Sequence, residues 1–262
     1  MQHFFTKIET TKNTDNSENK NIWDIWKISD KFIVNQIIKI LRSKTWDKFY
    51  ILDFDWKNQT EKILCEIILI EKKFLEVKIL EKIFLDKEKF FSEDKKFWWN
   101  KKINLFFALP KSKEKFEFIL QKWTELWINE FHPISSDFCN AKYPNKIERN
   151  NLIIQEAAEQ SERFFLPELK EFGKFEEIFK LKNNFYFFDS RLFKEWQQNN
   201  TQFDIIKKSS YWNEVNLIIW PEWGFSEKEA ELARKNNCEF LSLGKNILRL
   251  ETAVICAISR VN

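Results

Sequence analysis

Only three glycines occur in 262 residues. This scarcity constrains the chain more than any other feature, because glycine ordinarily makes tight turns, left-handed helix ends and close backbone approaches. An average soluble chain of this length would hold about 18 glycines. Tryptophan, usually the rarest residue, occurs 12 times, so the surplus of one nearly balances the deficit of the other. With 44% apolar and 17% aromatic residues the chain can bury a full core, as one large or two modest domains. That composition excludes a disordered or collagen-like chain.

The net charge of +3 is too small to announce a nucleic-acid binder, although a local basic groove is compatible with it. Cys65, Cys139, Cys238 and Cys256 are far apart and form no metal-ligand spacing, as expected of small reduced thiols. His3 and His132 are the only histidines, which argues against a histidine-based triad or zinc site, and no metal is expected. The beginning, MQHFFTKIETTKN, is polar too early for a signal peptide, and no apolar run of about 18 residues follows. The expectation is a soluble cytoplasmic protein with no membrane partner.

Residues 11–21 read as a polar loop. Helical spacing follows from Ile33 to Leu41, then strand patterns at 49–54, 61–70 and 74–83. Together they predict a small, mostly β domain over 1–85 and a charged linker over 86–100. From 101 to 262 the rhythm changes. Strands are predicted at 103–110, 130–135, 185–190 and 215–220, and helices at 114–127, 147–163, 227–236 and 252–260. Alternation of this kind predicts an α/β domain with a mostly parallel sheet covered on both faces.

The last 50 residues carry the chemistry. A buried strand, Leu217 to Ile219, runs into the loop WPEWGF and then a helix that Ser226 can cap, with Glu229 at the capping-box position. The loop LGKNILR at 243–249 repeats the arrangement. Open α/β sheets bind ligands outside the carboxyl ends of their strands, so the two loops are a candidate cofactor pocket by position.

The runs PEWGFSEKEAELA and LSLGKNILRLETAVICAI resemble the ending of the bacterial 16S rRNA uridine-N3 methyltransferases of the SPOUT superfamily. Three further stretches match in order: 109–128, 153–169, and MQHFF together with 38–63. The resemblance implies a PUA-like RNA-binding β-barrel at the N-terminus, followed by a SPOUT α/β domain whose end is threaded through a trefoil knot. It also implies a homodimer that uses S-adenosylmethionine to methylate N3 of one uridine of 16S rRNA, as naked RNA or in the 30S subunit. The cofactor pocket would then be lined by Ile219, Trp220, Pro221, Glu222, Trp223, Gly224, Leu243, Gly244, Asn246, Ile247 and Leu248.

Where that family has glycine, this chain has Trp46, Trp56, Trp123, Trp127, Trp220 and Trp223. Position 56 lies between two strands where a hairpin turn is needed, 127 follows a helix where a left-handed cap is expected, and 220 and 223 lie where backbone meets ligand. These departures give the expectation that the codons are UGA, read as glycine at source. If the indoles are present, the alternative is a catalytically inactive RNA-binding protein of the same fold. Glu162 also stands where glycine is common, and Asn35-Gln36 where histidines are.

Methyl transfer to a ring nitrogen needs in-line positioning and loss of the N3 proton. Arg249 is the candidate for stabilising charge on the uracil, against a cap or salt bridge with Glu251. Glu222 could serve as base or hold the loop through backbone N–H bonds. Arg42, Lys122, Glu156, Gln160 and Arg163 are candidates for the RNA-facing side, and Glu159 with Arg163 is expected to be a surface pair.

Overall fold

The computed structural model describes residues 3–6, 25–55, 59–86, 102–139, 146–181, 185–188, 214–219, 224–244 and 246–261. The chain divides into two compact units, Met1–Phe90 with Ala158–Phe165, and Phe91–Ala157 with Leu166–Asn262.

The first unit is built on a five-stranded sheet: β1 (His3–Thr6), β2 (Ile25–Ile28), β3 (Lys48–Asp55), β4 (Gln59–Ile70) and β5 (Leu75–Asp86). Its order is β1-β3-β4-β5-β2, with β1 parallel to β3 and the other pairs antiparallel. In β5 the burial alternates from Leu75 to Ile79, so Leu75, Val77 and Ile79 face the core beside Ile63, Cys65 and Ile67 of β4. The apolar run from Ile33 folds as α1 (Lys31–Asn35) and continues into a wider π-helical turn, Gln36–Ile40. Asp30 caps it by accepting from Phe32 N (2.8 Å) and Ile33 N (3.2 Å). Strands β1 and β2 lie outside the strand patterns predicted from the sequence. Their four-residue lengths are too short for alternation to be visible.

The second unit carries a six-stranded sheet. Its elements are β6 (Lys102–Ala108), α2 (Lys113–Glu125), β7 (Glu130–Ile134), α3 (Ile147–Gln160), β8 (Glu168–Leu169), β9 (Phe185–Phe188), β10 (Glu214–Ile219), α4 (Glu227–Lys235), β11 (Glu239–Leu241) and α5 (Leu250–Val261). The order is β11-β9-β10-β6-β7-β8, and every pair is parallel. Central strands of a parallel sheet are buried on both faces, which is why β6, β9 and β10 are apolar along most of their length. The buried Asn104 of β6 and Asn216 of β10 interrupt the pattern and pair with each other, Asn104 Nδ2 donating to Asn216 Oδ1 (3.0 Å). Phe106, Phe107, Leu217 and Ile218 are inaccessible or nearly so. The helix expected at 147–163 ends at Gln160, and a 3₁₀ turn at Phe175–Leu181 was not anticipated.

Three helices end in the same way. In α2 the N–H of Ile128 reaches the Trp123 carbonyl (3.2 Å) and that of Trp127 the Thr124 carbonyl (3.0 Å). In α3 the pairs are Arg163 to Ala158 (2.9 Å) and Glu162 to Glu159 (3.3 Å), and in α4 Cys238 to Ala233 (3.1 Å) and Asn237 to Arg234 (3.0 Å). This is the Schellman closure, whose pivot residue must be left-handed. Trp127 (φ 64°), Glu162 (φ 53°) and Asn237 (φ 57°) supply it without a glycine.

Candidate functional site

The sheet of the second unit presents the carboxyl ends of β10 and β11 on the same side, separated by β9. Two strand spacings are about 10 Å, a span suited to one extended small molecule. Ile219, fully buried, is the last residue of β10. The expected pocket residues Trp220, Pro221, Glu222 and Trp223 lie outside the described residues, as do Trp56 and most of the predicted linker. Gly224 follows with φ 79°. Phe225 then anchors the chain in the core against Phe187 (4.6 Å between ring centres) and Phe175 (5.2 Å).

Ser226 and Glu229 form the capping box expected from the sequence. Ser226 Oγ accepts from Glu229 N (3.2 Å), and Glu229 Oε2 accepts from Ser226 N (2.7 Å). What spacing could not reveal is that Glu229 serves a second segment. Its Oε1 accepts from Asp137 N (3.0 Å) and its Oε2 from Ser136 Oγ (3.3 Å), while Ser226 Oγ donates to Asp137 Oδ2 (2.6 Å). The loop after β7 is thereby tied to the start of α4, and a buried carboxylate is surrounded by donors.

After β11, Leu243 is buried and Gly244 has φ 125°. A Cβ built at Gly244 would find nothing within 4 Å, so the space beside this backbone is open. Ser242 Oγ accepts from Gly244 N (3.2 Å). Asn246 and Ile247 are exposed, Ile247 to 81%, and Leu248 is half-buried. Arg249 is exposed at the start of α5, where its carbonyl accepts from Ala253 N (2.8 Å). The structure thus brings Ile219, Gly224, Leu243 and Gly244 to one edge of the sheet.

The candidate RNA-facing residues are dispersed. Arg42 is exposed in the first unit with φ 52°, and Lys122 is held by Glu125 on α2 (2.8 and 3.0 Å). Glu156 and Gln160 share an exposed face of α3. Arg163 is a correction: it is only 1% exposed, its Nε donates to the Phe165 carbonyl (3.1 Å), and burial draws its pKa down to about 9. Glu159 is buried too and accepts from Phe5 N (3.0 Å), so these two are interior groups of the first unit and not a surface pair. An Arg so enclosed presents nothing to an RNA phosphate. The four-residue spacing was read correctly, but the side of the helix it lies on was not.

At the opposite edge of the parallel sheet, Glu130 meets Lys102 (2.8 Å), Lys170 (3.8 Å) and His132 Nε2 (2.9 Å), and His132 stacks on Phe106. Among the described residues no group of His, Cys, Asp and Glu could hold a metal, and no helix is long and apolar enough to cross a membrane.

Residues 99–262 match the family described as RNA methyltransferase domain. The chain is 34% identical over 139 residues to the ribosomal RNA small subunit methyltransferase E of Rickettsia conorii, a match covering 53% of this chain and 55% of that one. It therefore spans about half the length of that relative. With the protein of the same name from Buchnera aphidicola it is 30% identical, over 87% of each chain. In fold it is similar to the ribosomal RNA small subunit methyltransferase E from Neisseria gonorrhoeae bound to S-adenosyl methionine. The TM-score is 0.72 at 21% identity, over 99% of this chain and 95% of the other.

Proposed function

The chain belongs to the RNA methyltransferase domain family, and from that premise we propose that it methylates N3 of a uridine in 16S rRNA with S-adenosylmethionine as methyl donor. The observation that carries this reading is the pair of positive-φ glycines, Gly224 and Gly244, standing beyond the carboxyl ends of β10 and β11 with open space beside Gly244. Backbone without a Cβ can approach a ligand closely and offer it N–H and carbonyl groups.

The residues present suit such a cofactor. Leu248, half-buried, would offer apolar surface to an adenine above the core residues Ile219 and Leu243, and the backbone at Gly244 and from Asn246 to Leu248 would offer polar groups to its edge. Asn246 and Ile247 would take part with them, and Trp220, Pro221, Glu222 and Trp223, which lie outside the described residues, belong to the same proposed set. S-adenosylmethionine supplies, when bound, an electrophilic methyl on a sulfonium.

The chain's own task is to place the uracil in line and manage its charge. N3 gives up its proton and gains a carbon bond as the carbon–sulfur bond breaks. Arg249, permanently charged and exposed at the start of α5, is the residue proposed to stabilise the negative charge that the uracil acquires. Glu222, outside the described residues, is the candidate to hold its loop through backbone N–H bonds or to receive the proton. Because N3 takes part in base pairing, the target uridine must be unpaired or turned out of its helix.

The same reading includes a PUA-like barrel formed by the first unit, with domain limits near 1–85, 86–100 and 101–262. It further includes a knotted SPOUT topology in the second unit, a homodimer, and action in the cytoplasm on 16S rRNA or the 30S subunit. Arg42, Lys122, Glu156 and Gln160 are the residues proposed to face the RNA. The test is incubation of 30S subunits lacking the modification with the protein and methyl-labelled cofactor, followed by nucleoside analysis. N3-methyluridine is the expected product. Absence of label in rRNA, or label on another atom, overturns the assignment.

A further inference from the structure

Four tryptophans lie among the described residues: Trp26 in β2, Trp123 in α2, Trp46 and Trp127. The first two have ordinary strand and helix backbones, and Trp123 fills the core between Phe107 and Phe131. The other two have φ 78° and 64°, the highest among the described non-glycine residues with positive φ. For an L-residue this region costs roughly 1–2 kcal/mol, and bulky side chains almost never occupy it.

In both cases the conformation is imposed by the surroundings. Asp47 N donates to the Lys44 carbonyl (3.2 Å), which makes Trp46 the third residue of a turn whose φ is that of a type II turn, the glycine position. Trp46 N donates to the Ile67 carbonyl (2.7 Å) and Ile67 N to the Asp47 carbonyl (3.0 Å), so neighbouring strand β4 holds the turn from the side. Asp47 Oδ2 closes it by accepting from Lys44 N (2.7 Å). The indole itself is 70% exposed and recovers little of the cost by packing. Trp127 is the left-handed pivot of the Schellman closure of α2, where glycine is most frequent. At the equivalent pivot of α4 stands Asn237, a residue that tolerates this backbone.

Two tryptophans at two glycine positions, in a chain that has 12 tryptophans and 3 glycines, call for one cause. UGA, a codon read as tryptophan under some genetic codes, differs by a single base from the glycine codon GGA. We propose that positions 46 and 127 are encoded by UGA and that the source organism fills them with glycine, through a glycine-charged tRNA whose anticodon pairs with UGA. The backbone at these positions is then unstrained, and the chain regains the glycines that its turns require.

The test has two arms. The codons at 46 and 127 are read from the gene, and the protein purified from its source cells is digested and sequenced by mass spectrometry. UGA codons with glycine in both peptides are expected. A UGG codon at either position, or a peptide containing tryptophan there, overturns the proposal. In the second arm the chain is expressed as written beside the double variant W46G/W127G. A higher melting temperature for the variant is expected, and an equal or lower one removes the conformational ground of the proposal.

Discussion

Glu229 and Asp137 lie 92 positions apart in the chain, yet the carboxylate of the first accepts the backbone N–H of the second at 3.0 Å. The same carboxylate closes the capping box of α4, so one buried side chain fixes the start of that helix and the loop after β7 together. Truncation, Glu229→Ala, leaves the buried Ser136 Oγ and Ser226 N without their acceptor and removes a cap. A loss of about 2–4 kcal/mol is expected. Glu229→Gln keeps acceptor capacity and should lose less, as denaturant unfolding of the two variants would show. Equal stability of wild type and Glu229→Ala would mean that water replaces the carboxylate.

Gly244 makes a second case, in which room and conformation oppose each other. A methyl at this position meets nothing, yet φ 125° is open almost only to glycine. Gly244→Ala should therefore shift the loop and weaken S-adenosylmethionine binding at least tenfold by calorimetric titration, with a stability cost of about 1–3 kcal/mol. Unchanged affinity would place the cofactor elsewhere.

For Arg249 the expectation separates binding from chemistry. The side chain is exposed, so Arg249→Ala should change stability by no more than about 0.5 kcal/mol. If it stabilises the uracil as proposed, kcat should fall by roughly 10²–10³ while cofactor affinity holds. A variant as active as the wild type would remove Arg249 from the reaction.

The cluster around Glu130 predicts a pH dependence. Burial opposes ionisation of this carboxyl, but hydrogen bonds from His132 and Lys102 and the charges of Lys102 and Lys170 outweigh it and hold the pKa at about 2, below the ordinary 4.5. A depressed pKa stabilises the fold above the unfolded value, and this contribution is lost as pH falls from about 4.5 towards 2. Its size is up to about 3 kcal/mol. Glu130→Gln should flatten the stability profile across that window. An unaltered slope would assign acid sensitivity to other groups.

Much of this architecture was legible in the sequence. Alternation in β4 and β5, the apolar face of α2 and the capping box at Ser226 each rest on local periodicity, which backbone geometry converts directly into structure. The left-handed cap at Trp127 was legible for the same reason, since the residue after a helix has few conformations open to it. Arg163 was misjudged because a four-residue spacing says which residues share a helix face but not what covers that face. The link from Glu229 to Asp137 left no local trace, because a contact 92 positions long depends on which strands become neighbours. The loop expected at 220–223, flagged by its place after a strand and by its residues, lies outside the described residues.

Residues 158–165 group with the first unit although the chain has by then entered the second, and returns to it at Leu166. Neither unit is therefore written as one uninterrupted stretch of the gene. A fragment cut at Phe90 would leave the Phe5 N–H without its acceptor on Glu159, while one starting at Phe91 would expose a segment buried in the first unit, the Glu159 carboxylate, the Arg163 guanidinium and Phe165 among its groups. Dissection into independently expressed halves should fail at both ends, and synthesis on the ribosome must reach the second unit before the first can close.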